Sequence, residues 1–286
     1  MRTLILADIH ANLRALEAVL SAPEAAACGR IVCLGDQINY GPCPAECLAM
    51  LRAFADAGGR ELCLLRGNHE DRLPHLQEPE FDGANWRLLR WTAARLDPAE
   101  PAYPLDLRIG SVLCSHGTPG DPWHLMKEDA EVRAELEKLP DGVNVLLSGH
   151  NHRRWEIRHN GRLAVNPGSL GMWEGSPGGL APFAVLDGEE VSLYQVPYDL
   201  DGLRRDYVQS GCYRSDRVLT RLSLQVMCDG SPMLCLRYFK HANAVAALMG
   251  VPLGHEEAWK AADTLWPWPE HESTGDFWRR MEAEWA

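Results

Sequence analysis

Apolar positions in the first third of the chain come in short runs, and each run empties into polar residues. Thr3 to Ala7 leads into Asp8-Ile9-His10, Ile31 to Leu34 into Gly35-Asp36, and Glu61 to Leu65 into Arg66-Gly67-Asn68-His69-Glu70. Runs this short and this apolar suit strands buried on both faces. Between them the spacing turns helical: Leu13, Leu16, Val19 and Leu20 share one face of a helix that Asn12 caps. Pro42 and Pro44 open a second helix over Ala45 to Ala57, which Gly58-Gly59 ends. Strand, polar loop and helix in repeated order predict a parallel sheet with crossover helices, whose carboxyl edge carries the polar residues.

The pattern continues with a helix over Asn85 to Leu96, with Trp86, Leu89, Trp91 and Leu96 on its packing face, and an irregular connection through Pro98, Pro101 and Pro104. Two short strands flank Gly110, the second ending in Ser115-His116-Gly117. A charged helix from Glu128 to Leu139 precedes the strand Val143 to Leu147 and the run Gly149-His150-Asn151-His152. Short strands at Arg154 to Arg158, Arg162 to Val165, Phe183 to Leu186 and Val191 to Val196 then read as an antiparallel sheet. The two halves predict an α/β fold of stacked sheets with helices outside. Beyond Pro197 lie five helical stretches, and this tail carries Trp259, Trp266, Trp268, Trp278 and Trp285, so a core domain over 1–198 and a helical extension over 199–286 packed upon it are expected. The extension reads as a hydrophobic cap or oligomer contact, or else as a substrate lid.

Composition narrows the function. The chain has 286 residues, 46% hydrophobic, with a net charge of -12. That charge opposes binding to long nucleic acid, whose affinity comes from lysine and arginine, but not to a small phosphorylated substrate beside bound metal. No apolar run approaches the roughly 20 residues a spanning helix needs, and a strand begins at once where a signal peptide would stand. A cytoplasmic protein without membrane contact is the expectation. Nine cysteines without regular spacing read as reduced thiols, and Cys43 and Cys47, one helical turn apart, as core residues rather than a metal clip.

The chemistry lies in the loops. A lone His116 or His150 would read as a structural histidine and a lone Asp36 as a helix cap. Five stretches that each place Asp, Asn or His just past a strand overturn that reading in favour of a dinuclear metal site. Carboxylate, amide and imidazole together suit manganese, iron or zinc better than magnesium or calcium. Such a pair of ions acidifies a water and clamps a phosphoryl group. Trp123, Trp155 and Trp173 fall in or just after these loops, where they could stack on a base or pack the rim.

The ordered set Asp-x-His, Gly-Asp, Gly-Asn-His-Glu, His-Gly and Gly-His-x-His resembles the calcineurin-like metallophosphoesterase family. Gly35-Asp36-Gln37-Ile38-Asn39-Tyr40-Gly41-Pro42, with the later Asn166-Pro167-Gly168-Ser169-Leu170-Gly171, resembles its small bacterial phosphodiesterase branch. The resemblance implies a four-layer α/β/β/α sandwich bearing the helical extension, and hydrolysis of a phosphate ester by a metal-bridged hydroxide. It implies Asp8, His10 and His152 on one metal, Asn68, His116 and His150 on the other, and Asp36 on both. The metals would be two divalent transition-metal ions, manganese first, with iron, zinc or nickel as alternatives. His69 would protonate the leaving oxygen, with Glu70 as the carboxylate that holds it and Arg66 on the phosphate. Arg66 favours a phosphoprotein or dinucleoside-polyphosphate phosphatase; Tyr40, where that branch has arginine, favours small phosphodiesters. A non-catalytic scaffold on the same fold is the reading from another class, and a homo-oligomer through the Trp-rich tail is the expected assembly.

Overall fold

The computed structural model describes residues 1–98, 100 and 102–285, with only the backbone of Glu284 and Trp285. Pro101 and Ala286 of the predicted connection and extension, and the Trp285 side chain, lie outside the described residues. The strands are β1 (Thr3–Leu6), β2 (Arg30–Cys33), β3 (Glu61–Leu64), β4 (Asp106–Ile109), β5 (Val112–Ser115), β6 (Val145–Leu147), β7 (Trp155–His159), β8 (Arg162–Asn166), β9 (Leu180–Asp187) and β10 (Glu190–Pro197). They form two five-stranded sheets, one in the order β10-β9-β1-β2-β3 and the other β4-β5-β6-β8-β7.

Alternation along each strand builds the layers. In β1 and the residue after it, Ile5 and Ala7 face the space between the sheets while Leu4 and Leu6 face the outer helices. Val32 and Leu34 divide from Ile31 and Cys33 in the same way, because successive side chains point to opposite faces. The helices Leu13–Leu20 and Pro44–Gly58 cover the first sheet with Leu16, Val19, Leu48 and Leu51. The helix Asp129–Lys138 covers the second with Val132 and Leu136. The result is the α/β/β/α sandwich. All nine cysteines are free thiols, and among the described residues no helix is long and apolar enough to cross a membrane.

The late strands do not make one antiparallel sheet. β8 runs parallel to β6, β7 lies antiparallel on its edge, and the β9–β10 hairpin crosses to pair with β1. The helix expected over Asn85 to Leu96 is shorter, spanning Arg87–Ala93 after a single turn at Ala84–Trp86. From Leu200 onward the chain is helical, chiefly Leu200–Ser210, Arg217–Asp229, Leu234–Met249, Glu256–Leu265 and Gly275–Trp285. These helices share an apolar core of their own around Tyr207, Leu222, Tyr238, Trp259 and Trp278. That core reaches the sandwich: the Tyr207 hydroxyl donates to the Tyr40 carbonyl at 3.0 Å, and Arg14 forks onto Asp206 at 2.8 Å.

Candidate metal centre

Asp8 follows β1, Asp36 follows β2, Asn68 and His69 open the short helix after β3, His116 follows β5, and His150 and His152 follow β6. The backbone is unusual at four of these positions and at His10 in the loop after β1. Asp8, His10, Asp36, His150 and His152 have φ of 51°, 48°, 52°, 69° and 55°. A non-glycine residue held in the left-handed region costs about 1–3 kcal/mol, so the surroundings must enforce it. They do so through loop-to-loop hydrogen bonds. Asp8 N–H donates to Gly35 O at 3.1 Å, His10 N–H to Asp36 O at 2.9 Å and His150 N–H to the Asp8 carboxylate at 3.0 Å. The glycine before Asn68 is required by space alone, since a Cβ on Gly67 would lie 2.1 Å from Asp36 Oδ1.

The side chains meet in two groups that share Asp36. His10 Nε2 lies 2.9 Å from His152 Nε2, and His152 Nε2 lies 3.7 Å from Asp8 Oδ1. His116 Nε2 lies 3.3 Å from Asp36 Oδ2, and the Asn68 amide tip lies within 3.1 Å of His116 Nε2, Asp36 Oδ2 and His150 Nδ1. His10 Nε2 lies 3.9 Å from Asp36 Oδ2, so the carboxylate stands between the groups. The donor atoms of Asp8, His10 and His152, and those of Asp36, His116 and His150, are each within 4.8 Å of one another. His10, Asp36 and His69 make a third such trio.

Do these residues fit cations? Three of the imidazoles place their far nitrogen on a backbone carbonyl. His10 Nδ1 reaches Ile38 O at 3.2 Å, His116 Nδ1 reaches Leu34 O at 2.9 Å, and His150 Nε2 reaches Trp123 O at 3.2 Å. A carbonyl can only accept, so a proton sits on each far nitrogen and the other nitrogen of the ring is turned toward the centre, the usual arrangement of a metal-binding histidine. Burial adds to this by disfavouring the imidazolium: His10 and His150 are pulled down to about 4, and His152 falls well below its ordinary value. Burial also opposes charge on His116, but the Asp36 carboxylate outweighs it and pushes the imidazole up to about 9. With Asp8, Asp36 and Glu70 all buried at this edge, the centre draws positive charge, and the residues fit divalent cations.

Two expected roles are corrected. Glu70 does not touch the His69 ring; its carboxylate accepts the N–H groups of Gly67, Asp36 and Gln37 at 2.9 Å and of Ile38 at 3.3 Å, clamping the loop that presents Asp36. His69 Nδ1 instead receives the Asn39 amide at 2.9 Å, which leaves the proton on Nε2, 3.8 Å from Asp36 Oδ2. Arg66 turns away to Asp71 at 3.1 Å and does not line the cleft over the centre. The arginine that does is Arg72, one helical turn beyond Asn68, its guanidinium 3.9 Å from the Trp123 ring centroid and 4.9 Å from that of Trp86. The four-residue spacing from Asn68 was the available signal.

Of the loop tryptophans, Trp123 covers Arg72, Trp173 lies beneath Arg154, and Trp155 packs beside the helix Asp129–Lys138. Tyr40 sets its ring edge-on to His10 and His69, with centroids 5.0 and 4.9 Å away. The cleft encloses about 360 Å³; one wall is the centre with Arg72, and the other includes Leu219, Leu236 and Phe239 of the C-terminal helices.

Residues 1–190 match the model of the calcineurin-like phosphoesterase superfamily domain. A curated relative, an uncharacterized protein of Methanocaldococcus jannaschii, is 23% identical over 224 residues, which are 68% of this chain and 87% of the relative. The crystal structure of a metallophosphoesterase from Sphaerobacter thermophilus is 25% identical and superposes with a TM-score of 0.64, covering 79% of this chain and 99% of that one. A hypothetical protein of Pyrococcus horikoshii OT3, 18% identical with a TM-score of 0.66, shares the fold over 81% of this chain and 99% of its own.

Proposed function

We propose a reaction for this chain from one premise: it belongs to the calcineurin-like phosphoesterase superfamily. The reading is a hydrolase of small phosphodiesters, including small cyclic or dinucleotide ones, that works with two divalent transition-metal ions, manganese first. Asp8, His10 and His152 would hold one ion, Asn68, His116 and His150 the other, and Asp36 both. The observation that carries this is the convergence of imidazole nitrogens on a buried, shared carboxylate, with the far nitrogens of His10, His116 and His150 anchored on backbone carbonyls.

Ions held there supply an acidified water and positive charge for the phosphoryl oxygens. The chain's own groups do the rest. His69 offers the proton on Nε2 to the departing oxygen, and Asn39 sets its tautomer through Nδ1. Arg72, braced between Trp86 and Trp123, pairs with a non-bridging phosphoryl oxygen. Tyr40 fixes the His69 ring in place and helps keep water from it.

Substrate size and charge follow from the cleft. About 360 Å³ suits a small ester. A monoester carries one more negative charge than a diester, and Arg72 is the cleft-lining arginine among the described residues, which favours the diester. With manganese present, kcat/KM is expected to be greater for bis-nitrophenyl phosphate than for nitrophenyl phosphate, and Arg72→Ala should lower both by about tenfold or more. A clear preference for the monoester or a phosphopeptide would replace this reading with a phosphatase. No turnover of any ester by metal-loaded protein would leave the scaffold reading.

A further inference from the structure

The helix Leu234–Met249 has two apolar faces with different fates. Leu234, Tyr238 and Ala242, four residues apart, are buried in the core of the extension. Cys235, Leu236 and Phe239 line the cleft instead, joined by Met233, Leu253 and Trp86. Leu236 remains 41% exposed and Met233 37%, an apolar surface open to water at the mouth of a polar site. Such a surface favours an apolar occupant, because covering it removes apolar area from water.

The wall is fixed in place. The Glu174 carboxylate accepts Met233 N–H at 2.9 Å, Gly175 N–H donates to Gly230 O at 2.8 Å, and Gly179 N–H donates to Met227 O at 3.1 Å. The Tyr207 hydroxyl ties the extension to the loop after Asp36 through Tyr40 O. A lid would need to part these bonds at each turnover. The extension therefore stands as a permanent side of the site.

We propose that the C-terminal helices form a receptor for an aromatic ester group, so that the substrate is a phosphate ester carrying a flat apolar ring system on one side of the phosphorus. The inference rests on the reading above that the polar end of the cleft takes the phosphoryl group. Phe239 supplies aromatic surface for stacking, Leu236 and Leu253 supply the flanks, and the 360 Å³ of the cleft holds a fused two-ring group together with a phosphate.

Binding tests this apart from turnover. Naphthylphosphonate and methylphosphonate, which are not hydrolysed, are titrated calorimetrically into the manganese-loaded chain, the Leu236→Asp variant and the Phe239→Ala variant. The native chain should prefer the naphthyl compound by about tenfold or more. Both variants should lose that preference while methylphosphonate binding stays unchanged. Leu236 is partly exposed, so its aspartate variant should fold even if the Phe239 variant does not. Equal binding of the two phosphonates by the native chain, or an unaltered preference in Leu236→Asp, overturns the receptor and leaves the hydrolase reading intact. Loss of the preference in a chain that hydrolyses no ester upholds the receptor and removes the hydrolase.

Discussion

The two walls of the cleft are built on opposite principles. The metal-facing wall is made of loops whose residues are polar, buried and held in the left-handed region, as at Asp8, His10 and Asp36. The facing wall is made chiefly of helices, with apolar side chains packed on a tryptophan-rich core; Met233 at its edge is the exception, with φ of 57°. Strain on the first side is stabilised by a dense web of loop hydrogen bonds, of which the four N–H groups on Glu70 are the clearest case. The second side is tied by fewer such bonds and filled mainly by packing, because apolar contact is non-directional and tolerates changes of shape. Groups that must meet a cation within tenths of an ångström are placed by bonds with direction; groups that only exclude water are placed by packing.

The comparison is broken most severely by removing the carboxylate that both metal groups share. Asp36→Asn is expected to lose ion occupancy at both positions and turnover with it, checked by elemental analysis alongside activity. The C-terminal helices should be unaffected, so the near-ultraviolet circular dichroism of their tryptophans should persist. A variant that keeps both ions and its activity would remove Asp36 from the centre.

A smaller break separates binding from proton transfer. His69→Ala should retain its ions while kcat falls by about 10²–10⁴ for an alkoxide leaving group, and by less for a nitrophenolate that needs no proton. Equal losses for the two leaving groups would count against His69 as the acid.

The smallest effect sharpens the contrast from the side of the extension. Asp216 caps the helix Arg217–Asp229 through Oδ1 on Leu219 N–H, while its Oδ2 is buried without a partner among the described residues. Burial pushes its carboxyl from 3.8 up to about 7, although Arg87 nearby favours the charged form. The folded state then binds more protons than the unfolded one between these values, so this group's contribution to stability is full below pH 3.8 and is lost as pH rises toward 7. Asp216→Asn keeps the capping oxygen and removes the charge. Thermal unfolding in chelator should show the variant gaining melting temperature over the native chain between pH 5 and pH 8, and a constant difference would show that Asp216 does not titrate there.

Several features were decided by local sequence. The short apolar runs of β1 and β2, the Asn12 cap, and the repeated order of strand, polar loop and helix depend on neighbouring residues and on the rule that such loops gather at the carboxyl edge of a sheet. Gathering at such an edge brings Asp8, Asp36 and Asn68 together on the first sheet, and the stacking of the second sheet adds His116 and His150 from its own edge. Tertiary structure alone decided which charged neighbours face the cleft. Arg66 and Arg72 are six residues apart, and only the turn of the short helix after β3 sends the first to Asp71 and the second over the centre. Glu70 stands next to His69 in sequence, yet helical geometry turns its carboxylate back onto the Asp36 loop and leaves the ring to Asn39. The division of the late strands between two sheets, and the approach of Leu236 and Phe239 to the centre, were equally hidden. Sequence spacing sets the direction of a side chain relative to its own backbone; what it meets depends on how whole elements pack, and that is set by contacts between residues far apart in the chain.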